Sequence, residues 1–310
     1  MNEDLHKQFS NIFNKSILPM LKKNGFRKKI TPDYSYLNPI GIVLAIFLVL
    51  LCLKMPIAIL FLVLLIILSI PILPSFFVDY ESKLEKRSYA AKALAMPYLL
   101  SIFGDLEYQK FLENTPSNPY VAKIKNFKVF NTSFLKVIDE MIIGNVDGVS
   151  IELFENYSLV DMEGTRNLTV VFKFPKNFSS NTIIVEKDYV RNNRSNNIKD
   201  LNLQKVELED IVFNKDFLVY SDDQVDARYL LTTSFIKRFQ EIKFLYKTPY
   251  IRAEFKDDEL ALCIGLTSDF FNCKFSNIEK AREAFYKMFK EIDSIVNLIE
   301  ELKLNLRIGL

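Results

Sequence analysis

The chain has no tryptophan, one histidine, three cysteines and eight glycines among 310 residues. The lone histidine, His6, stands six residues from the start. That leaves no histidine general base, no His-based triad and no His-rich metal site in the body of the protein. The glycines are scattered and form neither GxGxxG nor GxxxxGK[ST], so the backbone loops that cradle nucleotide phosphates are absent. Cys52, Cys263 and Cys273 are odd in number and match no zinc spacing, and all three read as buried thiols in a reducing compartment. With 49% hydrophobic and 25% charged residues, the chain has enough apolar material for a core and for one or two domains.

What the sequence has in excess is one apolar stretch. Residues 37–78 carry a single charge, Lys54. As one helix the stretch would extend about 60 Å at 1.5 Å per residue, twice the hydrocarbon thickness of a bilayer. It therefore reads as a hairpin of two membrane helices, 37–53 and 57–76, broken at Lys54-Met55-Pro56, because proline lacks an amide hydrogen and lysine prefers the interface. The run starts too late and is too long for a signal peptide, and a re-entrant or monotopic hairpin is the alternative, since the turn is short and the first arm is near the lower length limit.

Charge sets the expected orientation. Seven basic residues against three acidic ones precede the hairpin, and Lys83, Lys86 and Arg87 follow it, so both termini are expected on the cytoplasmic side of the membrane. Lys22, Lys23, Arg27, Lys28 and Lys29 are candidates for contact with anionic headgroups, beside their simpler role in fixing topology. Thirty-five of the 38 acidic and 32 of the 40 basic residues follow residue 78, a net charge of −3. That argues against nucleic-acid binding, which needs a concentrated basic surface.

Three parts follow: an arm at 1–36, the hairpin at 37–78 and a cytoplasmic domain at 79–310. In the arm, Leu5, Phe9, Ile12, Phe13, Ile17, Met20 and Leu21 share one face of an amphipathic helix, to be buried either on the domain or in the membrane interface. From Tyr80 to about Leu112 the pattern predicts helix, interrupted near Pro97 and Gly104. Alternation at Val149–Leu153 and Leu168–Phe174, with the β-branched run Thr182–Val185, predicts half-buried antiparallel strands, and strand signals resume at Leu201–Leu208 after a polar loop at 188–200. Ile251–Leu266 reads as a hairpin turning at Lys256–Glu259, followed by a long helix capped by Ser276 with Glu279. Ala281, Phe285, Met288, Ile292, Ile295, Ile299 and Leu302 form its apolar stripe. The fold class is α+β, antiparallel strands with packed helices.

Six Asn-x-Ser/Thr triplets, at Asn14, Asn131, Asn156, Asn167, Asn177 and Asn193, follow from asparagine abundance and carry no glycosylation reading on a cytoplasmic domain.

The densest polar constellation is Asp222, Asp223 and Asp226 with Arg228. Three carboxylates within five positions suggest a hard-cation or ligand site. The competing reading is structural: Ser221 or Asp222 caps a helix, the acids suit its dipole, and Arg228 pairs with a carboxylate. Glu152 with Glu155, and Asp257 with Glu259, supply further paired carboxylates that a strand face and a turn account for. No catalytic residue and no cofactor is assigned.

The segment VYSDDQVDARYLLT, residues 219–232, with VELED at 206–210 and EELKLNLRI at 300–308, resembles DUF 3137, a family of uncharacterised bacterial membrane proteins. The resemblance is strongest from about Leu203 onward. It implies a short amphipathic N-terminal helix, a two-helix hydrophobic hairpin and a cytosolic α+β domain, and it brings no reaction, ligand or catalytic residue. Thr233 stands where members often have proline, and Gly309-Leu310 replaces an aromatic ending.

The expected function is a hairpin-anchored domain that binds a protein or small ligand at the membrane, with the lipid bilayer and either a protein partner or a second copy as partners. One alternative is a membrane-tethered metal-dependent enzyme or ligand sensor using the acidic cluster. The other is a subunit of an oligomeric transport assembly, since two apolar helices offer no polar path alone.

Overall fold

The structure, a computed structural model, describes residues 2–26, 72–110, 119–130, 135–136, 140–158, 165–188, 202–267, 270–271 and 273–307. They divide into two compact units, one of Met1–Ile12, Ala95–Asn272 and Phe285–Leu310, the other of Phe13–Leu94 and Cys273–Ala284. No helix among the described residues is long and apolar enough to cross a membrane. The hairpin expected at 37–78 lies outside the described residues up to residue 71, as do Cys52, Arg27, Lys28 and Lys29.

The first unit is built on one antiparallel sheet of ten strands. Its strands are β1 (Asp105–Lys110), β2 (Leu135–Lys136), β3 (Glu140–Val146), β4 (Val149–Ser158), β5 (Thr165–Lys173), β6 (Thr182–Glu186), β7 (Gln204–Val206), β8 (Phe217–Ser221), β9 (Ile251–Lys256) and β10 (Glu259–Leu266). Their order is β1-β3-β4-β5-β10-β9-β6-β8-β7, with β2 beside β4. The expected strands and the β9–β10 hairpin are all present, Leu260 facing Phe255 and Leu262 facing Ala253 across it.

The central strands differ from the half-buried expectation. Every residue of β6 is buried, and so are the first five of β9, because both faces of the sheet are covered. On one face, helix α4 (Pro119–Ile124) and the turn after it lay Ile124, Phe127, Val129 and Phe130 on Met141, Phe154, Val171, Ile183 and Ala261. On the other, helix α5 (Ile211–Asp216) stacks Phe213 on Phe217 at 4.7 Å, and helix α7 (Thr233–Tyr246) packs Phe235 on Phe255 and Phe239 on Phe217, at ring centroid distances of 5.6 and 5.5 Å. The twelve largest fully buried side chains are all phenylalanines, so these rings are the core rather than stacking platforms.

Two corrections concern the segment after residue 79. Helix α3 (Ile72–Leu100) keeps Pro97 inside its last turn and ends at Leu100, and Asp105–Lys110 is an edge strand instead of more helix. An edge strand shows one face to water, and its polar letters imitate a helix surface. The strand is admitted by two glycines. Gly144 (φ +149°) lies so close that a Cβ there would fall 1.9 Å from the Asp105 carbonyl, and one at Gly104 (φ +142°) would fall 2.7 Å from that of Asn145.

The arm is helical as expected, in three pieces: α1 (Asn2–Ile12), a π-helical segment (Phe13–Ile17) and α2 (Leu18–Lys23). Phe9, Phe13, Ile17 and Leu21 are buried at every fourth position, while Leu5, Ile12 and Met20 are only partly so. A strict spacing of four outruns the 3.6-residue turn, and the wider i→i+5 winding absorbs the excess. The apolar face settles on protein: in the first unit Phe9 meets Tyr286 and Phe289 of the terminal helix α8 (Ile278–Arg307) at 5.0 and 5.6 Å. Lys22 and Lys23 are exposed.

In the second unit, Arg282 lies 5.4 Å above the Phe13 ring, and Arg87 caps the Phe26 ring at 5.5 Å while donating to the Phe26 carbonyl. Lys274 sits between Glu81 and Glu85 at 3.4 and 3.0 Å. The Phe275 amide donates to Ser88 Oγ at 2.9 Å. Asn277, not Ser276, caps α8 by accepting from the Lys280 amide at 2.9 Å.

Candidate functional site

The acidic constellation sits where β8 runs into helix α6 (Gln224–Leu230). Asp223, in extended conformation, is the N-cap: its Oδ1 accepts from the amides of Val225 and Asp226 at 2.8 and 3.1 Å. Ser221 is not the cap because its hydroxyl is spent on the Asp223 backbone and on Thr182 Oγ1, 2.9 Å away. Asp222 Oδ1 accepts from the Asn181 amide at 2.9 Å, and Asp226 Oδ2 accepts from Ser180 Oγ at 2.5 Å. Arg228 donates to the backbone and side-chain oxygens of Gln224, at 3.0 and 3.4 Å. The fold thus brings the three carboxylates to one turn but aims each at a different donor. Among the described residues no group of three His, Cys, Asp or Glu side chains is placed to hold a metal ion.

The other paired carboxylates separate. Glu152 and Glu155 point to opposite faces of β4, as an odd spacing in a strand requires. Glu152 bonds Lys123 at 3.0 Å, and Glu259 bonds the same ammonium at 2.9 Å. Burial opposes the Lys123 charge, and the hydrogen bonds it donates to Glu259 and Glu152 outweigh that and raise its pKa. Glu155 accepts from the Phe271 amide at 2.8 Å. Asp258 pairs with Lys173 at 3.3 Å.

Among the further carboxylates that the fold buries where the sequence gives no warning, Glu254 and Glu291 are the most enclosed. Glu254 of β9 is fully enclosed. Its Oε2 accepts from the amides of Lys128 and of Val129, the latter at 3.1 Å, and so fastens the α4 turn to the sheet, while Oε1 has no hydrogen-bond partner. Burial pushes its pKa up to about 7 against those bonds. Glu291 of α8 has a side chain only 6% exposed, facing Lys287, 63% exposed, at 3.6 Å. Burial raises its pKa to about 7, against the pull of Lys287.

Glu291 lines a cavity of about 240 Å³. The last turn of α7 and its C-cap supply Leu245, Tyr246 and Lys247, the end of β10 and the residue after it supply Leu266 and Thr267, and Phe270 and Lys287 complete the wall. Lys247 ends α7 in the left-handed conformation (φ 48°) and its amide returns to the Phe244 carbonyl, which turns the chain away from the helix. Tyr246 stacks on Phe270 with centroids 6.1 Å apart. A second cavity, of about 280 Å³, is lined by Arg238, Glu241, Lys290, Asp293 and Asn297, and its polar groups are already joined: Arg238 to Glu241 at 2.9 Å, Asn297 to Asp293 at 3.0 Å.

A comparison with curated proteins finds no match. Among solved structures, the chain is similar to the crystal structure of the mycobacterial trehalose monomycolate transport factor A, TtfA, at 10% identity and a TM-score of 0.37, over 70% of this chain and 94% of that one. Residues 166–304 match the family model DUF3137, described as a protein of unknown function, and this is the family that the segments at 206–232 and 300–308 resemble.

Proposed function

We propose that this protein is a ligand-binding module tethered to a bacterial inner membrane through the apolar segment 37–78, with its sheet unit on the cytoplasmic side. The observation that carries the binding reading is Glu291, a carboxylate 6% exposed on the wall of a cavity, with the ammonium of the largely exposed Lys287 3.6 Å away. Charge-assisted bonds are ordinarily about 2.7–2.9 Å, so this carboxylate has unused capacity for a donor. The tether rests on 42 residues with one charge, which water does not solvate.

Two measurements test the halves separately. Membranes washed with carbonate should retain the full-length chain, and protease added to intact spheroplasts should leave its C-terminal region uncut. Release by carbonate, or digestion from outside, contradicts the tether or its orientation. For binding, native mass spectrometry of the gently purified chain should show a bound small molecule that Glu291→Gln loses.

A further inference from the structure

The cavity at Glu291 has a polarity that selects among ligands. Its deep charge, on Glu291, is negative above about pH 7, and the C-terminal end of the 14-residue helix α7 adds a partial negative charge on the same wall. Both positive charges, Lys247 and Lys287, belong to exposed residues. Leu245, Leu266 and Phe270 supply the apolar part of the wall, beside the polar Thr267.

Each simple ligand class meets an obstacle. An anion would press against Glu291 and the helix end. A plain amine would satisfy Glu291 but leave two ammonium groups beside it uncompensated. A neutral molecule would leave a buried carboxylate with one long contact. A zwitterion that enters with its ammonium first matches every charge. The volume suits a small one: a cavity of about 150 Å³ accepts benzene, so about 240 Å³ holds roughly ten non-hydrogen atoms.

We propose that this cavity binds a free amino acid with an apolar side chain, its α-ammonium on Glu291, its α-carboxylate on Lys247 and Lys287, and its side chain against Leu266 and Phe270. The proposal rests on the ligand-binding reading above and names the ligand class. The ammonium displaces Lys287 from its long contact with Glu291, and Lys287 then reaches the carboxylate.

The test is calorimetry on the full-length chain in mild detergent, cleared of small molecules, with leucine and its two halves: isoamylamine, which lacks the carboxylate, and 4-methylpentanoate, which lacks the ammonium. Leucine should bind, and each half about tenfold weaker or worse, the loss of one charge-assisted contact. Glu291→Gln should weaken leucine about tenfold. Lys287→Ala, at an exposed position, should weaken leucine several-fold while isoamylamine binds as well or better, because the variant removes both its competitor for Glu291 and an uncompensated ammonium. Isoamylamine binding as tightly as leucine, or leucine binding unaltered in both variants, overturns the zwitterion. A half-molecule that binds where leucine does not also overturns it and leaves a ligand site standing. Silence toward all three, with nothing bound in native mass spectra, overturns both readings.

Discussion

The Tyr246 hydroxyl donates to the main-chain carbonyl of Glu291 at 2.9 Å and so ties the last turn of α7 to the middle of α8. Ser294 Oγ donates to the same carbonyl at 2.8 Å, so Tyr246→Phe removes a bond without orphaning the acceptor. The expected cost is about 1 kcal/mol, the net value of a neutral hydrogen bond, read as a lower urea midpoint at unchanged slope. The same variant leaves the apolar stacking on Phe270 in place, so the cavity should persist.

Stability should rise on mild acidification. Glu254 and Glu291 both have folded-state pKa values of about 7 against an ordinary 4.5. Between those values the folded chain holds protons that the unfolded chain has released, so stability falls as pH rises through the window. From about pH 7.5 to about pH 5.5 each group should add roughly 2 kcal/mol. Urea unfolding of Glu254→Gln and Glu291→Gln should show a flatter pH dependence than the parent; equal slopes would contradict the burial of these carboxylates.

Asp223 is expected to behave as a helix cap. Asp223→Ala should cost about 1 kcal/mol, the usual value of an N-cap side chain. The loss should be the same with a chelator or with added Mg²⁺, Mn²⁺ or Ca²⁺. A parent midpoint that moves with divalent cation, and a variant whose midpoint does not, would instead assign the acidic turn to metal.

Gly144→Ala should detach β1. The new methyl would fall 1.9 Å from the Asp105 carbonyl, and backbone rather than a flexible side chain stands in its way. A loss of about 3 kcal/mol is expected, with hydrogen exchange at residues 105–110 accelerated beyond the rest of the sheet.

The strands that read clearly in the sequence are those where one face is apolar without interruption, such as Leu260, Leu262 and Ile264 of β10. Strand β3 is legible through a two-residue turn rather than through its own alternation: Asp147-Gly148, with φ angles of 49° and 86°, joins it to β4. That dipeptide between apolar runs is visible in the sequence and marks the hairpin. The acidic constellation was found because its letters are adjacent, while the buried carboxylates were not. In IRAEFK, alternation places Glu254 on the face opposite Phe255, and periodicity alone cannot tell a face open to water from one covered by a turn 125 residues away. Glu291 stands beside Ile292 at the margin of the apolar stripe, where a helix wheel does not separate a solvated acid from a buried one.

The contact of Phe9 with Tyr286 and Phe289 joins the first helix of the chain to the last. On the ribosome, α1 therefore emerges without its packing partner, and at roughly 5–20 residues per second the wait lasts on the order of tens of seconds. Any message cut short before α8 yields a product whose opening helix has nowhere to fold.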